Sequence, residues 1–255
     1  MSFPTGDELK AAIERGDVRP VLQAQTPYLH GIKIANGAAC DKWAEKGEVM
    51  SSEFEAITSS ELFFKQRGIR NAPFDLLRQP SFTPGLTTPR ASFVVSQAAH
   101  ARAGIPFKLP NGREVNVAGN ARLIDLGEVE LAFEEMRRAL FPNAPSRLCC
   151  LWVAEANDAG KKHIIQMLAK GDADKMFVFP VIVVHERTPA KVETFWFNEY
   201  YATRDRSCIE RYWAGEPRPD GEEPTWEILI EGKLFMIYNE DIEHVRTLAP
   251  NWPKP

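Results

Sequence analysis

The chain has 255 residues and a mass of 28.7 kDa, enough for one large domain or two small ones around a sizeable core. Its 44% hydrophobic and 26% charged content is that of an ordinary globular protein, and a net charge of −4 supplies no overall basic field for broad nucleic-acid binding. No apolar run approaches the ~20 residues that cross a bilayer, so no membrane partner is expected.

The opening residues MSFPTGDELK lack the basic segment and apolar core of a signal peptide, which makes the cytoplasm, of the producing cell or of a cell the protein enters, the expected compartment. Cys40, Cys149, Cys150 and Cys208 form neither a CxxC nor a Cys/His cluster. They read as small apolar side chains, and no metal site is expected.

In chain order, Thr5 to Glu8 forms a capping box that starts a short helix ending at Gly16. Arg19 to Ala35 reads as two short strands with a turn. Asn36 to Gly47 is turn-rich with a helix around Cys40 to Glu45, and helical spacing returns from Ser52 to Gln66. Residues 68–104, with four prolines and many small side chains, read as an irregular insertion in one domain spanning residues 1–255. IPFKLPNGREVNV predicts a hairpin around Asn111-Gly112. Ala121 to Leu126 reads as one more strand.

The second half has clearer periodicity. Gly127 to Leu140 is an amphipathic helix with Val129, Phe133, Met136 and Leu140 on one stripe. LCCLWVA, Leu148 to Ala154, is too apolar for a strand with one wet face and should be central. A helix over Asp158 to Ala169 and a buried strand over Lys175 to Glu186 follow. Val192 to Tyr201 reads as extended, Ser207 to Trp213 as a short helix, and Glu216 to Glu223 as an acidic loop. Trp226 to Ile230 and Leu234 to Tyr238 are the last two strands. Strands with interspersed helices predict an α+β fold with mixed or antiparallel β-sheets. Dinucleotide fingerprints, P-loops and nucleophile elbows are absent from the sequence.

The order of parts from Pro145 to Val245 resembles the catalytic half of the ADP-ribosyltransferase superfamily, the toxins and poly(ADP-ribose) polymerases. A Pro-Ser-Arg step precedes a buried strand, a helix, a second buried strand, a Tyr-Trp-Gly helix end, and a strand opened by Trp226-Glu227. The resemblance implies a split-sheet core with added helices, with NAD as substrate in the cleft and Glu227 as the catalytic residue. Tyr28-Leu-His30-Gly31 is similar to the histidine-glycine pair of the polymerase-like branch, which implies His30 on the adenosine ribose. Two departures stand out. More than a hundred residues separate His30 from the Leu148 strand, and Lys161, Lys162 and His163 occupy the helix where a tyrosine is expected. Nicotinamide stacking then falls to Tyr212 or Trp213, with Ser146, Arg147 and Trp226 completing the implied cofactor-binding set.

The chemistry suits a half-buried acid. Cleaving the nicotinamide–ribose bond places positive charge on the sugar, and a carboxylate held where water is scarce stabilises it most. The bland alternative is a solvated edge residue that blocks sheet extension. Arg147 either forks onto the NAD pyrophosphate or makes a surface ion pair with Glu134 or Glu135. Ser146 offers its hydroxyl to ribose or to the sheet backbone. Arg204 to Trp213, with arginines and aromatics together, suits stacking on NAD or on a nucleic-acid acceptor, or a helix with its charges in water. The expected activity is NAD-dependent ADP-ribosyl transfer to a protein or nucleic-acid acceptor, as in a toxin, effector or phage-conflict protein with an antitoxin or immunity partner. NAD glycohydrolysis is a close variant. A catalytically silent binding module on the same scaffold is the alternative.

Overall fold

The computed structural model describes residues 27–52, 54, 70, 72–82, 90–109, 112–185 and 187–248. The readings of Thr5 to Gly16, of most of Ser52 to Gln66 and of Arg19 to Thr26 lie outside them. Strands β1 (Tyr28–Lys33), β2 (Glu48–Met50), β5 (Leu151–Glu155), β6 (Met176–His185), β7 (Ala190–Glu193), β8 (Trp226–Ile230) and β9 (Gly232–Met236) form one sheet in the order β2-β9-β6-β1-β5-β8-β7. The hairpin is separate, pairing β3 (Phe107–Lys108) with β4 (Glu114–Val115). Every registered pairing is antiparallel, so the architecture is α+β as expected.

The centre of the sheet has an uneven seam. β1 pairs with β6 over all six of its residues but with β5 only at Tyr28↔Glu155 and Leu29↔Ala154. Beyond that, the His30 imidazole takes the place of a rung, its Nδ1 lying 2.8 Å from the Trp152 carbonyl oxygen.

Helices cover both faces, which is why the central strands read as continuous apolar runs. On the front face, Ile32, Val153, Phe179, Val181, Ile228 and Ile230 pack with Trp43 of α1 (Gly37–Lys46) and Ile242 and Val245 of α8 (Asn239–Leu248). On the back face, α5 (Asp158–Ala169) lies over Leu29 and Ala154. Beside it, α4 (Ala121–Leu140), α6 (Thr194–Thr203) and α7 (Ser207–Trp213) enclose Phe133, Val192, Trp196, Tyr212 and Leu229. Burying each such side chain contributes roughly 1.5–3 kcal/mol. A buried ion pair is about neutral against an apolar replacement, so the apolar layers hold the fold together.

Several elements differ from the expectation for local reasons. Ala121 to Leu126 is the first part of α4, because the Asn120 side chain caps the helix by accepting from Leu123 N. Within residues 68–104 the chain forms α2 (Phe74–Leu77) and the fourteen-residue α3 (Arg90–Ala103). Gly127 then sits inside α4 where that helix crosses α3, and a Cβ there would lie 2.3 Å from Ala98 Cβ. Of Val192 to Tyr201, only Val192 and Glu193 are extended, as the end of β7. Glu193 caps α6 by accepting from Phe195 N, and the aromatic run becomes a helix. After β9 the chain closes with α8.

Gly31 has a packing role. A Cβ there would stand 2.3 Å from Ile164 Cγ2, so α5 seats on β1 only over a glycine.

Candidate functional site

Glu227 is the second residue of β8, and strand alternation sets its direction. Ile228 and Ile230 join the front core while Leu229 joins the back one, which points Glu227 backward with Leu229. There it meets Arg147, brought in by the turn ahead of β5, with Nη1 and Glu227 Oε2 3.6 Å apart. The pair is buried at 2% and 3% exposure.

Arg147 directs its hydrogen bonds elsewhere. Nε and Nη2 donate to Glu130 Oε2 and Oε1 of α4 at 2.8 and 3.1 Å, and Nη1 donates to the Tyr212 hydroxyl of α7. Its guanidinium lies against the rings of Phe197 at 4.5 Å and Trp152 at 4.7 Å, with Tyr212 and Phe133 behind. Among the described residues Glu227 Oε2 accepts no hydrogen bond. Burial pushes the Glu227 carboxyl up to about 7; Arg147 opposes this, and Glu130 and Glu193 add to it. Burial likewise raises the Tyr212 hydroxyl well above its ordinary range.

The other candidate residues divide by face. Tyr212 is fully buried, its ring edge-on to Phe133 and Trp213, so it is not presented for stacking on nicotinamide. Trp213 is buried too, its Nε1 donating to the Phe133 carbonyl at 3.0 Å. Arg147 is paired with Glu130, in place of Glu134 or Glu135, and offers no free fork to a pyrophosphate in this conformation. Trp226 alternates to the front, half-buried, under the ammonium of Lys191, which pairs with Glu155 at 2.6 Å. His30 also faces the front core, against Trp43 and Phe179. Burial lowers it to about 4, so it is neutral at physiological pH. A carbonyl can only accept, so Nδ1 carries the proton and Nε2 keeps its lone pair. The structure thus joins Glu227, Arg147 and Tyr212 and leaves His30 and Trp226 on the opposite side of the sheet.

Ser146 belongs to a second buried network. Its amide donates to Glu231 Oε1 at 2.7 Å and its hydroxyl to Glu134 Oε2 at 2.7 Å. Arg70 and Arg187 pair with Glu231, and Arg137 and Arg138 with Glu134. Arg70 and Arg137 both donate to the carbonyls of Pro142 and Ala144. These buried contacts pin the turn that delivers Arg147.

Sequence reading missed Glu130, took Glu134 for a surface partner of Arg147, and missed Glu231. The first two look like the wet face of an amphipathic helix, and Glu231 looks like a turn residue beside Gly232.

A family model described as "Protein of unknown function (DUF2441)" matches residues 122–244. The match takes in Glu130, Arg147, Tyr212 and Glu227 and leaves out β1 with His30. A search of curated proteins finds no match to the chain.

Proposed function

We propose that the protein transfers ADP-ribose from NAD to a macromolecular acceptor, with Glu227 as the reacting carboxylate. The observation that carries this reading is a buried glutamate at a strand entrance, with one oxygen that accepts no hydrogen bond among the described residues and a carboxyl pushed up to about 7 by burial. Such a group, once ionised, stabilises the ribosyl cation as the C–N bond breaks and the electron pair leaves on nicotinamide. It also accepts the proton of the attacking nucleophile. The two-rung seam between β1 and β5 supports a split-sheet core of the ADP-ribosyltransferase kind. His30 lies on the other face of the sheet from Glu227 and takes no part in this reading. Glu227 is only 3% exposed, so NAD reaches it after neighbouring side chains move aside.

One observation favours a second reading, a nucleotide- or partner-binding module without turnover. All three nitrogens of the Arg147 guanidinium donate to Glu130 or Tyr212, as in a purely structural ion cluster. Incubation with adenylate-labelled NAD and cell lysate separates the two. Label transfer to lysate that vanishes in Glu227→Gln supports the transferase, and nicotinamide release without transfer means glycohydrolysis. Saturable binding without release favours the silent module. Absence of NAD binding removes both NAD readings.

A further inference from the structure

We infer that Glu130 is a positioning residue for Glu227, acting through Arg147: it holds the guanidinium so that Glu227 feels its charge without receiving its hydrogen bonds. This deepens the reading of Glu227 as the reacting group and rests on it.

The geometry comes from five separate elements. Glu130 on α4 takes the Nε and Nη2 edge of Arg147 in a two-point contact, the strongest arrangement a guanidinium makes with a carboxylate. Tyr212 on α7 takes Nη1. Trp152 on β5 and Phe197 on α6 lie against the guanidinium and limit how it can turn. With the fork fixed, Glu227 on β8 stands at 3.6 Å, near enough for charge attraction and too far for a hydrogen bond. A carboxylate gripped directly by Arg147 would be a weak base, because two donated hydrogen bonds favour its ionised form. One held a step back keeps its basicity for a proton or a sugar cation.

The groups facing Glu227 are few. Cys150, beside the Arg147 turn, is held as a neutral thiol because burial raises it far above its usual range. Tyr212 is neutral for the same reason. Glu193 at the end of β7 bears on Glu227 through charge, but its Oε1 caps α6 and no contact with Arg147 accompanies it. Glu130 is therefore the acid that competes with Glu227 for the one guanidinium between them.

The test follows the carboxyl 13C resonance of Glu227, assigned by its loss in Glu227→Gln, through a pH titration of the full chain. Neutralising the competitor in Glu130→Gln frees Arg147 to turn toward Glu227 and removes a repelling charge, so the Glu227 midpoint falls toward the ordinary carboxylate range. Glu130→Asp, which keeps the charge, moves it less. The pH limb of NAD turnover shifts in step with the midpoint. Should Glu130→Gln fail to fold, Tyr212→Phe carries the test, since releasing Nη1 shifts the midpoint the same way. An unmoved midpoint in a folded Glu130→Gln or Tyr212→Phe protein overturns the inference. Lack of NAD turnover in the unmodified chain sinks the transferase reading alone, and the titration still decides whether Glu130 sets the state of Glu227.

Discussion

Arg147 Nη1 stands 3.6 Å from Glu227 Oε2, yet the hydrogen bonds of its guanidinium go to Glu130 and Tyr212. A cation is thus shared by two buried acids, one bonded and one only attracted. The arrangement keeps Glu227 near neutrality, between the low range of a salt-bridged carboxylate and the high range of an isolated buried one.

The first prediction concerns stability against pH. The folded Glu227 carboxyl sits near 7, above its ordinary 4.5, so the folded state binds more protons between those values. The Glu227 contribution to stability is therefore full below about 4.5 and is lost as pH rises through about 7. A shift of this size corresponds to about 3 kcal/mol. Glu227→Gln, close in shape to the protonated acid, should flatten that decline, as read by urea unfolding across the window.

His30 has the opposite sign. Its folded value near 4 lies below the ordinary 6.5, so its contribution is present above 6.5 and lost as pH falls through about 4. Nitrogen NMR should show a neutral ring protonated on Nδ1 throughout the neutral range. A ring that titrates near 6.5 would contradict the bond to Trp152.

NAD turnover should rise with pH along a limb centred near 7, because the ionised form of Glu227 is the reactive one. Glu227→Gln should lower kcat by at least about 100-fold, the scale of losing a positioned charge at the reacting centre. Steady-state rates across pH check both statements. A limb below about 5 would point to a different group.

Helix propensity alone says that Gly127→Ala should stabilise α4 by about 1 kcal/mol. The crossing reverses this. The new methyl would meet Ala98 Cβ at 2.3 Å, and parting α3 from α4 should cost about 1–3 kcal/mol. Ala98→Gly in the same chain should restore much of the loss. Thermal melts of the two variants decide which effect wins.

Glu231→Ala should cost about 3–5 kcal/mol, because it leaves the buried guanidinium of Arg70 and the Ser146 amide without their acceptor. Lys175→Ala, which removes an exposed ion pair with Asp172, should leave stability almost unchanged. Denaturant midpoints of the two proteins give the contrast.

Much of the architecture could be read from residue order, because element type and facing are written in local periodicity. The repeat in Asp158 to Ala169, the apolar run that became β6 and the alternation of β8 emerged in place. So did the siting of an acid at the entrance of a buried strand. The strand expected from Leu148 begins only at Leu151, because Cys149 and Cys150 bond back to Ser146 in the turn that carries Arg147. Local preference failed where a cap outweighed it, as at Asn120 and Glu193, each of which turned a strand-like run into helix.

Partnership could not be read in the same way. The sheet order β2-β9-β6-β1-β5-β8-β7 places strands distant in sequence side by side, and no periodicity encodes which acid an arginine will meet across such a gap. Closure of the sheet paired Arg147 with Glu130, made Glu231 a hub for Arg70, and set His30 and Glu227 on opposite faces. Chain segments far apart come together only when the apolar layers pack, and the charged groups take the partners that packing leaves within reach.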